Sequence, residues 1–270
     1  GGTNLHMGML VAFAHAGARV RWHGGEIQEL KKTKIRGEES EGMICAAEEL
    51  ELQERFPDTI GTSIVDLGLH GYMVGMPLRE SLGLDDVIFH VDNHAITHRP
   101  DMFSHVGFAR ECVVLGLGTW RKRPEYPVPT FPNDSLPFRC TVEIPDCVPR
   151  YLACLLTMDG IGETPSWMRK RLKAVGWRPR NLPVDITNYV TMEVGMPLHS
   201  FDADDLRGDI RIRRAGKEKK IITLDRTERD LPEGAIVISD GAGVFDLLGI
   251  MGGLRSSTKE STRRIYLPPA

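Results

Sequence analysis

Apolar and polar positions alternate in short runs along much of the chain. Residues 18–22, 87–91, 210–213, 220–224 and 235–239 alternate like strands, and residues 9–14 read as a further short strand. Residues 151–157 are almost continuously apolar, which predicts a buried strand. Turns are predicted at His15–Ala16–Gly17, Gly24–Gly25 and 225–228. A helical period appears in four places. Residues 74–84 end one short helix. Residues 101 to about 115 predict a second, with Val106, Ala109, Cys112 and Val113 inward. Thr164–Pro165 caps and opens a third, ending at Gly176, with Met168, Leu172 and Val175 inward. The fourth is predicted to start from Asp185 as N-cap and to close at Gly195, and Pro197 prevents it restarting. Its Ile186, Tyr189, Val190 and Val194 mark a core face, with Asn188 opposite.

Strands and helices so interleaved predict an α+β protein, and 270 residues suffice for about two domains with real cores. Seven of the 17 prolines fall between residues 124 and 149, which reads as an extended linker or surface strap at a domain boundary. Hydrophobic content of 41% and charged content of 26% describe an ordinary globular chain. No apolar run approaches a membrane span, and the N-terminus has no signal-peptide layout, so no membrane partner is expected. Five cysteines without a C-x-x-C pair suit a reducing, cytoplasmic setting. The chain opens at Gly1 without an initiator Met and stops at Ala270, which reads as a fragment.

A net charge of −3 exerts no global pull on nucleic acid, so any RNA contact must come from local patches. Lys31, Lys32, Lys34 and Arg36 form one, and these cations could track a phosphate backbone. Glu38, Glu39 and Glu41 follow closely, so a balanced, solvated hairpin fits equally. Arg169, Lys170, Arg171 and Lys173 form another patch beside Arg178 and Arg180, although cations are also favoured near helix C-termini. His90, His94 and His98 are spaced four apart, but their β-branched, turn-rich surroundings argue against a helix, so no metal site is expected.

The chemistry concentrates in residues 177–202. Arg178, held extended before Pro179, Asn188 on the polar face of the fourth helix and His199 on its exit loop bring a cation, an amide and an imidazole from neighbouring elements. By spacing alone they also fit a solvated Arg, a polar-face Asn and a loop His.

The same stretch resembles the editing module of the bacterial phenylalanine–tRNA ligase beta subunit. The matching positions are Arg178–Pro179, Asn181, Asp185, Thr187–Asn188–Tyr189, Glu193, Gly195, Pro197, His199 and Phe201–Asp202. Residues 1–65 resemble the later part of that subunit's tRNA-binding OB-fold, through Asn4, Gly8–Met9, Val11, Ala14, Gly17, Ile35–Arg36–Gly37, Ser40, Gly42–Met43 and Glu49–Leu50. Asp92–Asn93 and Arg99–Pro100–Asp101 match the segment between, and residues 248–253 resemble the family's A-G-I-M-G-G.

The resemblance implies a partial OB-type β-barrel over 1–65, a connecting α/β segment over 66–123, the strap over 124–149, and a mixed α/β editing domain with antiparallel strands over 150–270. It implies hydrolysis of mischarged Tyr-tRNA, with Arg178, Asn188 and His199 lining the cavity. Pro197, Leu248, Gly249 and Pro268 would form the substrate wall, and Lys31, Lys32, Lys34, Arg169, Lys170 and Lys173 would contact tRNA. The implied partners are phenylalanine tRNA and the alpha subunit in a heterotetramer. ATP and Mg2+ serve the complete enzyme, and no cofactor is expected in this part. Two departures predict weakened or differently built editing, or a scaffold that grips tRNA or the alpha subunit without catalysis. Pro268 stands where the family has a glutamate that accepts the tyrosine hydroxyl, and Leu248 replaces a small alanine. The glycines of residues 249–253 fit close backbone approach to a ligand, or a tight bend in the sheet.

Overall fold

The computed structural model describes residues 4–53, 55–57, 59, 61, 63–122, 125–131 and 136–270. Gly1 and, in the proline-rich strap, Pro124 and Pro132 lie outside the described residues. Contacts divide the chain into two compact units, residues 1–87 and 88–270.

The first unit is built from three antiparallel strand pairs. β1 (Phe13–His15) pairs with β6 (Gly42–Ile44), β2 (Arg19–Arg21) with β3 (Ile27–Glu29), and β4 (Thr33–Ile35) with β5 (Glu38–Ser40). Each pair is a separate two-stranded sheet, so the described residues form no closed barrel. The β4–β5 turn places Arg36 and Gly37 at φ 54° and 94°, the left-handed pair that matches the twist of a two-residue hairpin. Ala47, Phe56, Val65, Leu67 and Leu82 form the core of this unit, beside the short helix α1 (Leu78–Ser81).

Residues 87–91, expected as a strand, form none. Val87, Ile88 and Phe89 are largely exposed, and among the described residues no strand pairs with them to accept their ladder bonds.

The second unit contains α2 (His105–Val114), α3 (Ser166–Ala174) and α4 (Leu182–Val194). Its main sheet has the order β15 (Met251–Gly252), β14 (Gly243–Leu247), β13 (Ile236–Asp240), β10 (Ile210–Arg214), β7 (Cys140–Val142). β7 runs parallel to β10, and the other neighbours are antiparallel. A three-stranded antiparallel sheet places β16 (Arg264–Leu267) between β8 (Cys154–Thr157) and β9 (Phe201–Asp202). The hairpin of β11 (Lys220–Ile222) and β12 (Glu228–Asp230) completes the strands. In its turn Arg226 takes a left-handed φ of 62°.

Alternation explains the packing. Ile210 and Ile212 turn inward from β10 to meet Ile238, Phe245, Phe201 and Tyr266, while Arg211 points out. Val237 and Leu247 turn to the opposite face, where Ile221 and Leu231 cover them. Both faces of the sheet centre are therefore buried. Part of the strap joins this sheet, because Cys140–Val142 pair with β10 and so extend its edge.

The helix starts depart from expectation. α4 begins at Leu182, and its N-cap is Asn181, whose side-chain oxygen accepts from the Val184 N–H at 3.1 Å. Asp185 lies inside the first turn, fully buried. Its carboxylate accepts from Thr164 Oγ1 at 2.5 Å and from the Arg180 N–H at 2.7 Å. Thr164 is thus spent on Asp185 and not on capping α3, whose N-cap position, Pro165, makes no side-chain cap bond. Nor does α4 bury the expected stripe: Ile186 is 40% exposed, whereas Pro183, Asp185 and Thr187 are buried. Both α2 and α3 pack against α4, so its covered surface wraps around two flanks. Gly195 does close the helix, at φ 78°.

Candidate active site

The exit loop of α4 and the end of the chain run together as a short antiparallel pair. The His199 N–H donates to the Pro268 carbonyl at 3.2 Å, the Ala270 N–H donates to the Pro197 carbonyl at 2.9 Å, and Leu198 bridges Pro269. Two expected substrate-wall residues, Pro197 and Pro268, and the expected catalytic His199 are thereby brought to one place. Pro268 is fully buried. The His199 ring packs edge-on against Phe201, with centroids 5.6 Å apart and planes at 88°. Its side chain keeps 21% of its surface exposed.

Beneath that ring lies a residue that alternation alone does not reveal. Asp246 is fully buried, and its Oδ1 stands 3.1 Å from His199 Nδ1. The two are close but off-line, so neither carboxylate oxygen nor Nδ1 has a formed hydrogen bond. Burial pushes the Asp246 carboxyl above its ordinary range, and the neighbouring imidazole pulls the other way. Tyr151 and Tyr266 complete the polar surroundings: the Tyr266 hydroxyl donates to that of Tyr151 at 3.2 Å and lies 3.5 Å from Cys140 Sγ. Burial raises the pKa of both phenols, so they remain neutral donors and acceptors. A lone Asp in the apolar run of residues 244–248 was the available sequence signal, since an unpaired carboxylate is rarely buried.

The other expected residues distribute differently. Arg178 is exposed on a loop that the Arg180–Asp185 bond ties to the start of α4. Asn188 is half-buried on α4. Among the described residues no hydrogen bond or ion pair joins Arg178, Asn188 and His199 to one another. Leu248 packs against the inner core, and Gly249 turns the chain at φ 77° with open space around its α-carbon. Close approach does occur at Gly253, but to the chain itself: a Cβ there would stand 2.4 Å from the Phe245 carbonyl.

Of the basic patches, Lys31 and Lys34 are exposed, Lys32 pairs with Glu41 at 2.5 Å, and Lys34 lies across the hairpin from Glu39. Arg169, Lys170 and Lys173 are exposed on α3, whose Arg171 donates to the Tyr189 hydroxyl at 2.5 Å and lies over the Trp167 ring. Among the described residues no helix is long and apolar enough to cross a membrane.

Comparison with known proteins gives this geometry a context. Residues 147–270 match the model of the B3/4 domain. The whole chain is 40% identical to the phenylalanine–tRNA ligase beta subunit of Syntrophus aciditrophicus over 273 residues, covering 100% of this chain and 32% of that protein. The chain belongs to the phenylalanine–tRNA ligase beta-subunit family. The Geobacter metallireducens beta subunit is likewise 40% identical over 275 residues, with the same coverage of 100% and 32%. The chain thus spans about a third of the length of these ligase subunits. An N-terminal fragment of the Pyrococcus horikoshii phenylalanyl-tRNA synthetase beta subunit aligns with 68% of this chain and 58% of its own at a TM-score of 0.40 and 16% identity, a likeness too low to bear on the fold.

Proposed function

We propose that this chain supplies tRNA binding and hydrolytic editing of mischarged Tyr-tRNA to a cytoplasmic phenylalanine–tRNA ligase. Phenylalanine and tyrosine differ by one hydroxyl, and an apolar synthetic pocket rejects an isostere with an added hydroxyl by only about a hundredfold. A second, hydrolytic site corrects the remainder. The observation that carries this reading is His199, part-exposed and pinned at its backbone by Pro268 and at its ring by Phe201 beside Asp246. Ester hydrolysis needs a positioned water, a held ribose and donors aimed at the developing oxyanion. Arg178 and Asn188 serve as the tRNA-end and oxyanion contacts in this reading. Lys31, Lys32, Lys34, Arg169, Lys170 and Lys173 follow the phosphate backbone. The alpha subunit and phenylalanine tRNA are the partners, and activation with ATP and Mg2+ is the task of the complete enzyme.

Pro268 favours a second reading, a scaffold that binds tRNA or the alpha subunit without catalysis. It is buried and lacks a side-chain acceptor for a tyrosine hydroxyl. Between these extremes, Pro268 and Leu248 weaken tyrosine selectivity while leaving hydrolysis in place. Deacylation of Tyr-tRNA by the complete enzyme tests the proposal. Loss of hydrolysis in His199→Ala and Arg178→Ala with tRNA binding retained supports editing. No hydrolysis by the unaltered enzyme leaves the scaffold, and robust, tyrosine-selective hydrolysis overturns the weakening.

A further inference from the structure

Strand β14 contains an extra residue. Its pairing with β13 runs Leu247 to Val237 and Asp246 to Ile238, then jumps to Val244 opposite Ser239, leaving Phe245 without a partner. In a regular strand, Phe245 inward would put Asp246 outward. The bulge breaks that alternation, and Asp246 shares the face of its partner Ile238, the face that packs on Phe201. Bulges commonly re-aim one side chain beside a functional site. Here the re-aimed side chain is a carboxylate that has no surface exposure, no formed hydrogen bond and, among the described residues, one basic neighbour at ion-pair distance, His199.

A buried carboxylate with no formed hydrogen bond is costly and calls for an explanation. The groups around it narrow that explanation. Tyr151, Tyr266 and Cys140 bond among themselves and are uncharged, so among these groups only His199 can carry a compensating positive charge. The ring meets Asp246 through Nδ1, which is buried, so its exposed part lies on the side away from the carboxylate. Nε2 makes no hydrogen bond among the described residues. A small ring rotation brings Nδ1–H into line with Oδ1, fixes the tautomer and leaves the Nε2 lone pair outward.

We propose that Asp246 is a positioning residue that holds His199 with Nε2 facing the aminoacyl ester, so that the imidazole acts as general base and then general acid in its hydrolysis. This rests on the editing reading above. In the step, Nε2 takes a proton from water as the water oxygen bonds to the ester carbonyl carbon, and the carbonyl electrons move onto oxygen. Collapse of that intermediate breaks the bond to the ribose oxygen, which receives the proton from Nε2. Free tyrosine and uncharged tRNA leave, and Asp246 stabilises the imidazolium between the two transfers.

The test compares the complete ligase with its Asp246→Asn, Asp246→Ala, His199→Ala and Asp246→Asn/His199→Ala forms in Tyr-tRNA deacylation. Asp246→Asn lowers kcat about 10-fold to 100-fold, as expected for loss of an imidazole-orienting partner, with KM and tRNA binding unchanged. The double variant is no slower than His199→Ala, because the carboxylate acts through the imidazole. Asp246→Ala keeps the result interpretable if Asn fails to fold. Deacylation by Asp246→Asn at the unaltered rate, or losses that multiply in the double variant, overturns the positioning role and leaves the editing reading standing. Absence of hydrolysis in the unaltered ligase overturns both.

Discussion

The hydroxyl of Thr164, just before α3, donates at 2.5 Å to the carboxylate of Asp185 in the first turn of α4. Both residues are buried, and the other carboxylate oxygen accepts from the Arg180 N–H. One acidic side chain thus ties the start of each helix and the loop carrying Arg178 into one unit. Thr164→Val keeps the shape and removes the donor, leaving a buried carboxylate short of one bond. The expected cost is about 1–3 kcal/mol, seen as a lower denaturation midpoint at unchanged m-value.

Gly195→Ala probes the exit of α4. Gly195 has φ 78°, and a Cβ there would stand 2.9 Å from the Pro100 carbonyl oxygen and 3.4 Å from Ser104. Strain from the left-handed backbone adds to the clash, for an expected loss of about 1–3 kcal/mol. Because this residue launches the loop to His199, Tyr-tRNA deacylation should fall along with thermal stability, measured on the same preparation.

Asp246 predicts a pH signature. Burial raises its folded pKa above the ordinary 3.8, so the folded state holds the proton more tightly than the unfolded one. Stability contributed by this group is therefore complete below the unfolded value and declines as pH rises toward the folded value. Asp246→Asn removes that decline. Its melting temperature should match the unaltered protein in acid and exceed it at neutral pH. Melting scans across pH check it. A lower melting temperature for the variant at every pH would assign Asp246 a purely structural role.

The two basic patches should respond unequally to neutralisation. Lys32 is already paired with Glu41, and Lys34 faces Glu39 across the hairpin, so their alanine variants weaken tRNA binding less than those on α3. Arg169→Ala and Lys170→Ala on α3 should weaken binding at every tRNA sequence and reduce the salt slope by about 1 each. Titration of the complete enzyme with tRNA over a salt series separates these outcomes. A slope change at Lys32 equal to that at Arg169 would show that its pairing with Glu41 does not weaken its phosphate contact.

Much of the second unit was legible in local patterns. Ile210 and Ile212 alternate with arginines and do fill the core from β10, and Gly195 ends its helix because it can hold a positive φ at no steric cost. His199, Pro197 and Pro268 were recognisable as one site only through family resemblance, since nothing in linear spacing joins residues nearly seventy positions apart; a backbone pairing does. Residues 87–91 carried a strand pattern without a strand, because a ladder needs a neighbour that local sequence does not supply.

The amino-acid order by itself determined where chain direction changes, which residues favour helix or strand, and the family. Those properties depend on backbone torsions and side-chain types within a few residues. Tertiary structure alone decided which polar groups lost their water: Asp185 found Thr164 and Arg180, while Asp246 was turned inward by a one-residue bulge to stand beside His199. The reason is physical. Desolvation and pairing of a charge depend on every element packed around it, and a single unpaired residue in a strand is enough to exchange the two faces.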